Sequence, residues 1–155
     1  MPERSAGILV FRRKTSGVQV FLGHMGGPFW ARKDDGAWTI PKGLRDEGEE
    51  SLAAARREFE EETGIRVDGS FLDLGTFRQA SGKIISAWAV EADFDAADIK
   101  SNVFELEWPP KSGKRQLFPE IDRGAWFDLA TARKKIVKGQ LPILEAVVMK
   151  TGQDS

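Results

Sequence analysis

Residues 43–65 read GLRDEGEESLAAARREFEEETGI, and this stretch decides the fold. Ser51 is a good helix N-cap, and Ala53, Ala54 and Ala55 are strong helix formers. Gly64 stands where a helix-ending glycine belongs, so the stretch predicts a helix over 52–63. Leu52, Ala55, Phe59 and Thr63 share one face, the expected core stripe. Glu58, Glu61 and Glu62 lie at i, i+3 and i+4, within about 6 Å of one another at Cβ. Like charges so placed repel, and near a helix C-terminus the macrodipole disfavours them further. A divalent cation turns that repulsion into ligation. Carboxylate oxygens without thiol or imidazole suit Mg²⁺ or Mn²⁺ over Zn²⁺. The plain alternative is a solvated acidic face.

Outward from this helix the pattern is α+β. Residues 5–13 predict a strand with Ala6, Ile8 and Val10 on one face and Leu9 and Phe11 on the other. Apolar residues on both faces imply a sheet covered on both sides. A turn at Thr15-Ser16-Gly17 leads to a returning strand over 18–22. A loop follows from Gly26 to about Gly36, carrying Phe29, Trp30, Arg32 and Lys33. Strands are expected over 71–78 and 83–91, then a long irregular segment over 95–121. Ala125-Trp126-Phe127 reads as a short strand. Asp128 caps a helix through Val137, ended by Gly139, and Pro142 opens a last helix with Leu144, Val147 and Val148 on one face. The expected architecture is an α/β/α sandwich around a mixed sheet, one domain over 1–150 with a frayed tail over 151–155.

Composition narrows the function. The chain has 155 residues, is 41% hydrophobic, and carries 23 Lys plus Arg against 24 Asp plus Glu. A net charge of −1 argues against a dedicated double-stranded nucleic-acid binder. With no cysteine there is no thiolate zinc site, disulfide or cysteine nucleophile, and the single histidine, His24, cannot build a two-histidine metal site. At a strand end, His24 reads as structural. No apolar run approaches the ~20 residues of a membrane span, and the first residues lack the apolar core of a signal peptide. The expectation is a cytoplasmic protein without a membrane partner.

Gly43, five residues, Glu49, seven residues, then Arg57-Glu58-Phe59-Glu60-Glu61-Glu62-Thr63-Gly64-Ile65 resembles the Nudix box at every defined position, with Phe59 in its aliphatic slot. The resemblance implies the Nudix α/β/α fold and a Mg²⁺- or Mn²⁺-dependent hydrolase that cleaves a phosphoanhydride by water attack at phosphorus. It implies Glu58, Glu61 and Glu62 as metal ligands, with the Gly43 carbonyl as a further ligand. Arg57 resembles the family arginine that orients these carboxylates by pairing with Glu49. For the general base, Glu120 stands six residues before Trp126, as in the family's loop glutamate. Glu105 and Glu107 are rivals, and Glu107 reads as a solvent-facing strand residue beside Leu106 and Trp108. Some family members use a box glutamate instead.

Trp38-Thr39-Ile40-Pro41-Lys42-Gly43 resembles Nudix branches acting on diadenosine polyphosphates and diphosphoinositol polyphosphates. Lys42 would supply a point charge for phosphate. Arg32, Lys33, Lys83, Lys111, Lys114 and Arg115 are further candidate phosphate contacts, though each alone reads as a surface cation. Phe29, Trp30 and Trp108 are candidate base-stacking aromatics, whereas Trp88 and Trp126 read as packing residues. A nucleoside or dinucleoside polyphosphate leads as substrate, ahead of a diphosphoinositol polyphosphate and an oxidised deoxynucleoside triphosphate. A Nudix-fold binding module without turnover is the contrasting class. The family resemblance also allows a homodimer, through the last helix or the 95–121 segment.

Overall fold

The computed structural model describes residues 4–152. Its main sheet runs β3-β2-β1-β6-β5, from β1 (Arg4–Lys14), β2 (Gly17–Met25), β3 (Trp38–Thr39), β5 (Leu72–Arg78) and β6 (Ile84–Glu91). β4 (Lys42–Leu44) adds to β1, and β9 (Ile121–Asp128) to β2. β1 and β6 are parallel and the other pairs antiparallel, so the sheet is mixed. β1 sits centrally and is buried on both faces, as its two apolar sets require. Ala6, Ile8 and Val10 pack with Ala54, Ala55 and Phe59 of α1 (Ser51–Thr63). Leu9 and Phe11 join the opposite core with Leu129 and Ala132 of α2 (Leu129–Lys135) and Ile143, Leu144 and Val147 of α3 (Leu141–Thr151). The result is the expected sandwich, one helix on one face and two on the other.

Several local expectations are corrected. Ser51 does not cap α1: Glu50 occupies the N-cap position without a side-chain bond, and Ser51 Oγ accepts from Trp88 Nε1 at 3.2 Å. The core stripe of α1 is rotated. Leu52 is only half-buried, while Ala54, Glu58 and Glu62 join Ala55, Phe59 and Thr63 inside. Asp128 does cap α2, accepting from Thr131 N at 2.7 Å, but α2 ends at Lys135, and Gly139 lies in a 3₁₀ turn over Lys138–Gln140. The 95–121 segment is not irregular: β7 (Val103–Glu107) and β8 (Arg115–Pro119) form a separate antiparallel hairpin. Its alternating apolar residues were visible, but its pairing partner lies across a turn interrupted by two prolines. Thr151 closes α3 and Gly152 follows in the left-handed conformation. The rest of the expected tail lies outside the described residues.

Candidate active site

Arg57 organises the box. Its Nε and Nη2 donate to the two Glu49 oxygens, each at 3.0 Å, a forked carboxylate pair. Nη2 also donates to the Leu44 carbonyl at 2.9 Å, and Nη1 donates to Glu58 Oε1 at 2.8 Å and Glu61 Oε1 at 3.2 Å. One guanidinium thus ties the loop before α1 to two helix carboxylates. The Arg57 guanidinium and the Asp46 N–H hold Glu49 down to a pKa of about 2. Glu49 itself lines neither cavity described below; it acts on the site through Arg57.

A cavity of about 530 Å³ opens over the C-terminal half of α1, lined by Gly43, Glu58, Glu61, Glu62, Lys42 and Glu120 among others. A Cβ at Gly43 would lie 2.0 Å from Glu58 Oε2, so a larger residue there would displace that carboxylate. The bare backbone lets the carboxylate lie against it. Burial pushes the Glu62 carboxyl up to about 8, with Glu58 and Glu120 adding repulsion and Lys42 opposing. Burial likewise raises Glu58, against the pull of Arg57. Glu120 is partly open to solvent, yet the cavity walls raise it too, with Lys42 opposing. Burial is the largest cause in all three, so the cavity disfavours their charged forms.

Among the described residues no three carboxylates already converge into a finished metal cage. Arg57 holds Glu58 and Glu61, and the Lys42 N–H donates to Glu62 Oε1 at 3.3 Å. The donor set nevertheless fits a hard divalent cation: oxygen atoms only, on one cavity, with Glu58 and Glu62 buried.

The backbone of Glu120 is clamped on both sides. Its N–H donates to the Asn102 carbonyl at 2.9 Å, and its carbonyl accepts from Gly26 N at 3.0 Å. Asn102 N in turn donates to the Glu61 carbonyl at 2.8 Å, and Lys100 N to the Thr63 carbonyl at 2.7 Å. Residues 100–102 therefore strap Glu120 to the end of α1. The rival carboxylates lie elsewhere. Glu105 pairs with Arg115, and Glu107, on the exposed side of β7, accepts from Gly113 N at 3.0 Å.

A second cavity, of about 320 Å³, shares Lys42, Lys83, Glu62 and Glu120 with the first and continues to Trp30, Gln79 and Gln140. Lys42, Lys83 and Trp30 thus line one cavity. Arg32 and Lys33 do not: neither lines these cavities, and both are exposed. Lys33 places its ammonium 5.1 Å from the Trp30 ring and offers its carbonyl to His24 Nε2 at 2.6 Å. Lys111, Lys114 and Arg115 stand with the β7–β8 hairpin, outside both cavities. Phe29 and Trp108 meet edge-to-face, with centroids 5.4 Å apart. His24 is fully buried, its other nitrogen 2.9 Å from Asp122, which is the structural role its position suggested. Sequence reasoning missed Ser5, Gln79, Asn102 and Gln140, which carry no local signal because strand pairing and turns bring them in.

The match to known proteins follows this geometry. The NUDIX domain family model matches residues 1–147, and the chain belongs to the Nudix family. It is 32% identical to Nudix hydrolase 7 of Arabidopsis thaliana over 113 residues, 68% of this chain but only 38% of that protein. Its match to Arabidopsis Nudix hydrolase 10 spans just 15% of that protein's length. It is 31% identical to the RNA pyrophosphohydrolase of Bartonella henselae over 154 residues, 83% of this chain and 77% of that one. The NUDIX domain of Shewanella oneidensis NrtR, solved with ADP ribose, superposes with a TM-score of 0.69 at 16% identity, over 97% of this chain and 89% of that one. A C. elegans Ap4A hydrolase superposes with a TM-score of 0.64 at 21% identity, over 96% and 98%. These structural likenesses establish the fold. No described helix is long and apolar enough to cross a membrane.

Proposed function

We propose that this chain is a Mg²⁺- or Mn²⁺-dependent hydrolase that cleaves a phosphoanhydride in a nucleoside or dinucleoside polyphosphate. The carrying observation is one cavity that gathers Glu58, Glu61, Glu62 and Glu120 beside Lys42 and Lys83. In this reading Glu58, Glu61, Glu62 and the Gly43 carbonyl hold the cation. When bound, it polarises the phosphoryl oxygen and acidifies water. Lys42 and Lys83 hold the polyphosphate charge that would otherwise repel an attacking oxygen. Glu120, ionised, takes the proton of the attacking water, and its raised pKa makes it a better base. Arg57 and Glu49 are positioning residues that keep Glu58 and Glu61 turned to the cavity. Relatives named for hydrolase and pyrophosphohydrolase activity support the reaction class.

The test is a substrate panel with Mg²⁺, products resolved by anion exchange, beside an EDTA control. It holds diadenosine polyphosphates, ordinary and oxidised deoxynucleoside triphosphates, nucleoside diphosphate sugars, diphosphoinositol polyphosphate and a 5′-triphosphorylated RNA. Metal-dependent cleavage of a nucleotide is expected. Metal and nucleotide binding without product would instead make the chain a binding module.

A further inference from the structure

Gln79 is a side chain that the hydrolytic machinery leaves unused. It follows β5, and its backbone closes the β5–β6 turn, with Gln79 N donating to the Lys83 carbonyl at 2.8 Å and Gly82 N to the Gln79 carbonyl at 2.9 Å. One hairpin thus delivers two side chains to the second cavity. Lys83 also reaches the carboxylate cavity; Gln79 does not. The Gln79 amide lies over Gly139, where a Cβ would come within 3.2 Å of Nε2. Gly139 is not among the glycines with positive φ, so its absent side chain serves space rather than backbone conformation. Among the described residues the Gln79 amide makes no hydrogen bond, whereas the nearby Gln140 amide is committed to Ile40 N at 2.9 Å and Thr39 Oγ1 at 2.8 Å.

We infer that Gln79 is a specificity-determining residue that reads the edge of a nucleobase seated in the second cavity. This rests on the hydrolase reading for the placement of phosphates across Lys42 and Lys83. From there a nucleotide's phosphates lie toward the carboxylates and its base extends into the adjoining space. About 320 Å³ suits a single base, with the half-buried Trp30 as an aromatic wall. An amide presents one donor and one acceptor side by side, the pattern that pairs with an adjacent acceptor and donor on a base edge. An inositol polyphosphate has no such edge for the amide to pair with. The amide therefore selects a nucleoside substrate over a base-free polyphosphate.

The experiment compares AMP with ribose 5-phosphate, which differ only by the base. Calorimetry is run with Mg²⁺ on wild type, Gln79→Leu and Gln79→Glu, each first shown to melt like wild type. A glutamate keeps the shape and length but offers acceptors only. The expected result is tighter wild-type binding of AMP than of ribose 5-phosphate. Gln79→Leu is expected to weaken AMP by about tenfold and leave ribose 5-phosphate unchanged, and Gln79→Glu to weaken AMP by at least as much, its added charge weakening ribose 5-phosphate to a lesser degree. Equal affinity of wild type for the two probes overturns the inference, as does an equal effect of the variants on both or no effect on AMP. Should either variant melt early, Gln79→Asn, which keeps the amide but shortens its reach, is the substitute and is expected to show the same selective loss. Because this readout is binding, it is independent of whether the substrate panel yields product.

Discussion

At the scale of single residues, Glu62 links the site to pH. Its carboxyl titrates at about 8 in the folded chain, against an ordinary 4.5. A raised acid binds its proton more tightly when folded, so the folded state is favoured below about 4.5. That advantage is lost as pH rises toward 8. Glu58 and Glu120 shift in the same direction. Chelator-treated protein is therefore expected to melt at progressively lower temperature from pH 5 to pH 8, and Glu62→Gln to flatten most of that slope. A cation competes with the same protons, so saturating Mg²⁺ should restore the most stability near pH 8. Melting curves across this range check all three, and a flat wild-type profile in chelator would contradict the burial argument. The carboxylates themselves were legible in sequence because their helical spacing exposes them. Their inward orientation was not: the stripe of α1 was placed around Leu52, whereas Glu58 and Glu62 are buried, Glu58 lying against the bare backbone of Gly43.

At the scale of elements, α1 holds the site through its apolar face. Phe59 is fully buried, edge-on to Phe21 at 6.3 Å and Phe94 at 6.2 Å. Phe59→Ala is expected to cost about 3–5 kcal/mol of stability by urea unfolding, with turnover per folded molecule lowered as α1 loses its seat. A loss under about 1 kcal/mol would mean that the neighbours collapse into the space. Long periodic elements such as α1 and β1 were readable because 3.6- and 2-residue periods recur within one segment. The two-residue β3 and three-residue β4 were not, since each exists only through a distant partner: His24 faces Trp38, and Ala6 faces Gly43. The β7–β8 hairpin escaped because its connecting turn is interrupted by Pro109 and Pro110.

At the scale of the whole molecule, the sheet brings together groups far apart in sequence. Glu120 reaches the box helix by way of β9, the Asn102 strap and Gly26. Glu120→Gln keeps these backbone bonds and removes only the ionisable group. It should lower kcat by about 10²–10⁴-fold while leaving metal affinity close to wild type. Unchanged kcat would return the base to the box. The family resemblance pointed to this position through its spacing from Trp126, but the route that brings it to the cavity was not legible, because backbone bonds between loops leave no side-chain pattern.

The central claim is that the carboxylates of α1 serve a catalytic cation. Its most direct test is Glu61→Gln, measured for turnover of the best panel substrate across a Mg²⁺ titration beside wild type. Glu61 is partly exposed and its ion pair with Arg57 is only one of several that guanidinium makes, so the variant should melt close to wild type. Removing one ligand is expected to lower kcat by at least about a hundredfold and to weaken the Mg²⁺ dependence. A folded Glu61→Gln protein with near wild-type turnover and an unchanged Mg²⁺ titration would contradict the account.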